Sequence, residues 1–190
     1  MPYHESLTWA KLAMSLVVET GAPELFRDIA IPERYGFLDT RGMVMPHERG
    51  ATRSIVGKSD LSKVDNLIGK INDFNADEHT ALLTLLQQFH KARLLLDPVQ
   101  KAIHLRICIE NVFIKHGEKE QLAAKVKNRG ASYLCESRTQ TERIYDFLSC
   151  AVHRGELPQK RKHSPTYIEG RVAGAIKRLL DEGTYPVWSD

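Results

Sequence analysis

One helical segment of the sequence carries the side chains best suited to proton-transfer or phosphate chemistry. In the stretch from Glu142 to Gly155, a helix that turns by about 100° per residue places Asp146, Ser149 and His153 in one polar stripe with Glu142. A histidine at a helix C-terminus, where unpaired carbonyls favour a cation, is suited to donate a proton or to contact a phosphate. The alternative is a surface histidine that only caps the helix.

Composition narrows the class of protein before any site is considered. The 190 residues, 42% hydrophobic and 27% charged, are sufficient for one domain with a core and a modest extension. The three cysteines show no CxxC spacing and the eight histidines form no HxxxH or HExxH pair, so we expect no disulfide framework, no metal site and no cofactor. The apolar run from Ala13 to Val18 is too short to span a membrane. We therefore expect a cytoplasmic protein without membrane association.

Helix start and stop signals become clear from residue 75 onward and predict about five helices over residues 75–190. Asn75 and Glu78 are spaced as the N-cap of the first helix and its reciprocal partner. Asp97 and Pro98 end that helix and begin the second, for which Gly117 is suited as the C-terminal cap.

The later helices follow the same signals. A third helix is predicted from about residue 119 to 134, where Gly130 lies in the middle of the apolar face and indicates close approach of a neighbouring helix. The fourth is capped either by Ser137 or by Thr139. The fifth begins at Ser164 and ends at Gly183.

Residues 1–74 are broken by several glycines, and we expect there a small irregular extension with one or two helices. One of these is amphipathic, with apolar residues three and four apart at Leu61, Val64, Leu67, Ile68 and Ile71. The sequence thus predicts a mostly α protein.

Four pieces of the predicted bundle together resemble a known family. They are LRICIENVF, the Ala- and Leu-rich helix Leu122 to Leu134, YDFLSCAVHRG, and the ending DEGTYPVW. In this order and spacing, residues 76–190 resemble a HEPN domain of the Apea-like branch. The resemblance implies an up-and-down helical bundle that binds RNA or a nucleotide, forms a homodimer, and belongs to a prokaryotic defence or toxin–antitoxin system with an unknown protein partner.

The resemblance also implies where a ribonuclease site would lie. Family members that cleave RNA do so without metal, using an arginine a few residues before a histidine, in the related pattern RSxxVHG. Ser149, Val152 and His153 match this pattern, but Leu148 occupies the arginine position and Arg154 is inserted after the histidine. Leucine cannot stabilise the charge that develops on a transferring phosphoryl group. We therefore expect a ribonuclease-like site that is inactive.

Two alternatives stay open for the function. The first is a metal-independent endoribonuclease in which His153 acts with Arg154, with Arg143, or with a cation from a partner chain in place of the missing arginine. In that interpretation Glu110 resembles the family glutamate that supports the site from a facing helix. The alternative for Glu110 is an exposed i, i+4 pair with Arg106. The second is a non-catalytic dimerisation module.

The densest basic cluster, Lys160, Arg161 and Lys162, lies in the loop between the fourth and fifth helices. It is our candidate for contacts with RNA phosphates, and a solvated loop is the alternative. Further cations on the third helix, Lys125, Lys127 and Arg129, are expected on its outward face.

Overall fold

A computed structural model describes residues 3–17, 58–114, 117–158 and 163–188. These ranges contain seven α-helices and one 3₁₀ turn, and they contain no strand, which confirms the mostly α prediction. The helices are α1 (Tyr3–Val17), α2 (Lys58–Asn72), α3 (His79–Leu94), α4 (Pro98–Phe113), α5 (Leu122–Tyr133), α6 (Arg138–Arg154) and α7 (Pro165–Glu182), and the 3₁₀ turn is Ala76–Glu78.

The chain divides into two compact units, Met1–Ile68 and Gly69–Asp190. In the first unit, α1 has buried apolar residues that include Trp9, Leu12 and Leu16. In α2, Val64 and Leu67 are buried as the spacing predicts, but Leu61 is half exposed. No helix among the described residues is long and apolar enough to cross a membrane.

Local caps fix the ends of the helices in the second unit. The Asp97 carboxylate accepts a hydrogen bond from the backbone N–H of Val99, and Pro98 follows at the first helical position of α4. The Ser137 hydroxyl caps α6, which settles the choice between Ser137 and Thr139, and the Ser164 hydroxyl caps α7. These caps satisfy backbone donors that have no partner within their own helix.

Helix α4 is the central element of the second unit, since it contacts α3, α5, α6 and α7. Its apolar face is buried, with Leu105, Ile109 and Phe113 at 0 to 1% exposure. A buried ion cluster adds to this core. The Glu169 carboxylate of α7 forms an ion pair with Nε of Arg93 on α3 at 3.0 Å and accepts a hydrogen bond from Nζ of Lys101 on α4 at 2.8 Å. Three helices are thereby joined through one carboxylate.

Gly130 of α5 marks a close helix approach, as the sequence predicts. A Cβ atom at this position would lie 3.0 Å from Cγ2 of Thr141 on α6 and 3.3 Å from Cε2 of Phe113 on α4. Only a glycine allows the three helices to meet at this distance without displacement of a buried neighbour.

Several boundary predictions are wrong. Helix α3 ends at Leu94, three residues before the end that was predicted at Asp97, and Leu96 between them is exposed. Helix α4 ends at Phe113, and its C-cap is Ile114 rather than Gly117. Asn75 caps the 3₁₀ turn that precedes α3 through a bond to the N–H of Asp77. The Glu78 side chain does not close a capping box there, because it binds the C-terminal segment of the chain instead.

Candidate functional site

The C-terminal end of α6 places His153 and Arg154 in the last helical turn. Gly155 ends the helix in the left-handed conformation, with φ of 68°, and its N–H donates to the carbonyl of Ala151 at 3.2 Å. Both side chains are exposed, and neither forms a hydrogen bond or an ion pair with the part of the chain that the structure describes. The remaining free carbonyls of this turn favour a positive charge beside them.

The apolar side of α6 points into the bundle. Ile144, Leu148 and Ala151 are at most 1% exposed. Leu148, which occupies the arginine position of the family pattern, is therefore a core residue. An arginine on the same backbone would have to bury its guanidinium among apolar side chains.

Ser149, one turn before His153, is half buried. Its hydroxyl donates to the carbonyl of Tyr145 at 2.7 Å, within the same helix. This bond uses the only hydroxyl proton, and Ser149 has no further partner within the described ranges. No group placed to activate Ser149 as a nucleophile contacts it there.

Glu110 meets α6 through a three-membered polar cluster. Its Oε1 accepts from the Tyr145 hydroxyl at 2.8 Å and from Nε of Arg106 at 2.9 Å. Nη2 of Arg106 donates to the Tyr145 hydroxyl at 3.1 Å. The i, i+4 pair with Arg106 thus forms, but it is not the exposed pair of the alternative interpretation, because the Arg106 side chain is only 11% exposed.

Tyr145 is a member of this cluster that the sequence did not predict. Its burial, together with its hydrogen bond to Glu110, raises the pKa of Tyr145 to about 12. The Arg106 guanidinium lies 4.7 Å from the centre of the Tyr145 ring, which gives the buried cation a favourable π face. The available signal was the position of Tyr145, one helical turn before Ser149 beside the polar stripe.

The structure does not bring Glu110 and His153 together. Helices α4 and α6 run antiparallel, since Phe113 lies at the level of Thr141 and Glu110 at the level of Tyr145. His153 lies eight residues beyond Tyr145, about 12 Å along the α6 axis and away from Glu110. Glu110 therefore contacts α6 through Tyr145, and the end of α6 forms a separate surface.

The three basic side chains of α5 all form ion pairs with glutamates. On α5, Arg129 is buried and its Nη1 lies 2.7 Å from Glu118, so its predicted outward position is wrong. Lys125 pairs with the same carboxylate, and Lys127 pairs with Glu142. The candidate phosphate-binding residues Lys160, Arg161 and Lys162 lie outside the described residues.

Glu110 also lines a pocket of about 540 Å³, which lies between α4, the start of α3 and the C-terminal segment. Its lining is mainly apolar or aromatic, with three polar members, and consists of Ala81, Ile107, Val112, Ile114, Tyr185, Pro186, Trp188, Glu78, Glu110 and Asn111. The DEGTYPVW segment forms part of this lining, although nothing in its sequence pattern indicated a pocket.

Polar bonds hold the C-terminal segment against the bundle at this pocket. Oε2 of Glu78 accepts from the N–H of Tyr185 and from the hydroxyl of Thr184, both at 2.8 Å. The Tyr185 hydroxyl donates to Oδ1 of Asn111 at 2.6 Å. Burial, followed by the nearby Glu78 carboxylate, raises the pKa of Tyr185, so this hydroxyl stays a donor at neutral pH.

Other reactive groups form no site within the described ranges. No group of three His, Cys, Asp or Glu side chains there is placed to hold a metal ion. None of the three cysteines forms a disulfide, and burial raises the pKa of the Cys108 thiol, which keeps it protonated and unreactive. No protein-family model, curated protein or solved structure matches the chain.

Proposed function

We propose that this chain is a HEPN-like protein that binds RNA, without cleaving it, through the C-terminal end of α6. The observation that carries the proposal is the exposure of His153 and Arg154 together with their lack of acidic partners in the described residues. All three α5 cations, by contrast, are paired with glutamates. Cations without partners are the ones that can replace the counterions of a phosphate chain.

The same end of α6 supports binding without catalysis. Metal-independent cleavage needs a cation that stabilises the developing phosphoryl charge beside His153. Leu148 is in the core at the position where the family pattern has this cation. Arg106 is bound by Glu110 and Tyr145 instead. Tyr145 precedes His153 by eight residues, which is about 12 Å along the α6 axis. The loop Lys160 to Lys162 would extend the basic surface, and the family resemblance suggests a prokaryotic defence setting.

The proposal is tested by RNA binding measured with fluorescence anisotropy over a range of salt concentrations. The double variant His153→Ala/Arg154→Ala should weaken binding and reduce the slope of log K against log salt by about 0.7 for each lost phosphate contact.

Arg138→Ala is the matched control, because Arg138 is also exposed, has no ion pair in the described ranges, and begins the same helix. It lies about 24 Å from Arg154 along the axis and should leave both affinity and slope unchanged. Equal losses in the two variants would contradict a site at the end of α6.

A further inference from the structure

The pocket beside Glu110 has polar groups that the protein itself does not use. Oε1 of Glu110 takes both bonds from Tyr145 and Arg106, which leaves Oε2 without a donor in the described part of the chain. Glu78 likewise accepts both of its bonds through Oε2, which leaves Oε1 without a donor in the same part of the chain. Asn111 accepts through Oδ1, and its NH₂ group has no acceptor within the same ranges. Three lining residues of the pocket therefore keep polar atoms without a partner in those ranges, namely two carboxylate acceptors and one amide donor group.

The walls of the pocket suit a flat ligand. Trp188 is held in place by an edge-on contact with Phe113, at 6.0 Å between ring centres, and by its ring N–H, which donates to the carbonyl of Val112 at 3.4 Å. Ile107 is exposed at the rim although it is a large apolar residue. An aromatic wall facing aliphatic side chains favours stacking of a planar ring.

The charge of the pocket excludes a ligand group that is negatively charged. The lining residues, all of them within the described ranges, include no lysine, arginine or histidine. The Glu110 carboxylate is compensated by Arg106, but the partners of Glu78 are a neutral hydroxyl and a backbone N–H. A phosphate inside the pocket would be repelled, so the charged part of any nucleotide must stay outside.

We propose that this pocket receives a guanine base, a proposal that rests on the RNA-binding function above. Guanine is the base that places a carbonyl acceptor beside two N–H donor groups on its pairing edge, which complements one amide NH₂ and two carboxylate oxygens. Adenine and cytosine present one donor group there, and uracil presents one N–H between two acceptors. The unused groups of Asn111, Glu78 and Glu110 therefore select guanine, while Trp188 stacks on its face.

The first test uses the unmodified full-length protein and uncharged nucleosides in calorimetry. Guanosine should bind more tightly than adenosine, cytidine and uridine. Inosine, which lacks the 2-amino group, should bind about tenfold more weakly than guanosine because one hydrogen bond to a carboxylate is lost. Equal affinity for all the nucleosides, or no binding of guanosine, would overturn the proposal. Tighter binding of a cation such as spermidine would overturn it as well and assign the pocket to amines.

The second test replaces the donor group. Asn111→Asp exchanges the NH₂ for an acceptor opposite the guanine carbonyl and should reduce guanosine affinity at least tenfold. Asn128→Asp adds the same charge at an exposed position of α5 and should leave that affinity unchanged. Equal affinities in the two variants would overturn the role of Asn111. If Asn111→Asp does not fold, the comparison of inosine with guanosine on the unmodified protein still decides.

The two proposals fail in different ways. RNA binding that depends on Arg154, together with no preference among nucleosides, overturns the guanine pocket and leaves the proposed function intact. A guanosine preference without any effect of Arg154→Ala on RNA binding overturns the proposed surface at the end of α6.

Discussion

The Tyr145 hydroxyl donates to Oε1 of Glu110 at 2.8 Å across the interface between α4 and α6. This bond joins Glu110 on α4 to the helix that carries His153. Tyr145 lies one turn before Ser149 on that helix. The bond fixes Glu110 as part of a buried Arg106 cluster rather than as a partner of the histidine. The proposed phosphate-binding surface and the polar cluster are consequently two separate features of α6.

Tyr145→Phe should lower the free energy of unfolding by about 1 to 2 kcal/mol at neutral pH, because Glu110 and Arg106 lose a buried hydrogen-bond partner. The folded-state pKa of Tyr145 is raised from 10 to about 12. A raised pKa means that the stabilisation is complete below pH 10 and is lost as the pH rises from 10 towards 12. Urea unfolding should show that the free energies of unfolding of the unmodified protein and of Tyr145→Phe differ by a constant amount up to about pH 9.5. This difference should narrow above about pH 10. A difference independent of pH would contradict the raised pKa.

Leu148→Arg should unfold the second unit or destabilise it by several kcal/mol, because Leu148 is 0% exposed and a buried guanidinium has no partner there. The volume-conserving control Leu148→Met should cost less than about 1.5 kcal/mol. Thermal melts followed by circular dichroism distinguish the two. A stable, fully helical Leu148→Arg protein would show that this position tolerates the family arginine and that leucine is not required by packing.

Gly130→Ala should destabilise the protein by about 1 kcal/mol, since the gain in helix propensity is smaller than the cost of displacing fully buried Thr141 and Phe113. Gly174→Ala is the matched control on α7, where a new Cβ meets nothing within 4 Å. That control should stabilise the protein by about 0.5 to 1 kcal/mol. Chemical unfolding of both variants measures the contrast, and equal effects would argue against a close approach at Gly130.

Static light scattering should give a mass about twice the 21.6 kDa of one chain. The expectation comes from the family resemblance, in which histidine-bearing helices pair around a two-fold axis. Val152, 45% exposed beside His153 on α6, is an apolar residue available to such a contact. A species of about 22 kDa alone at micromolar concentration would contradict the homodimer.

Features encoded by neighbouring residues were predictable from the sequence. The caps at Asp97, Ser137 and Ser164 involve partners two or three residues away, and the buried face of α4 follows from helical spacing. The close approach at Gly130 was predictable from its position. A glycine in the middle of an apolar helical face lowers helix stability, so its presence there indicates that a neighbouring helix occupies the space.

Features that join distant parts of the chain were not predictable in this way. Glu78 has the spacing of a capping-box glutamate, but its carboxylate binds Tyr185, 107 residues later. Periodicity alone does not reveal that Arg129 is buried, because its burial depends on Glu118 and on the carbonyl of Phe113. The pocket was missed for the same reason, since three separate segments form its lining.

The most direct test of binding without cleavage follows labelled RNA through both events in one sample. Unmodified protein is incubated with the RNA, with and without EDTA, and the bound fraction and the length of the RNA are measured together. The proposed function predicts bound RNA that stays intact in both conditions, with binding weakened by His153→Ala/Arg154→Ala. Cleavage by the unmodified protein in the presence of EDTA, abolished by His153→Ala, would contradict it and establish a metal-independent ribonuclease.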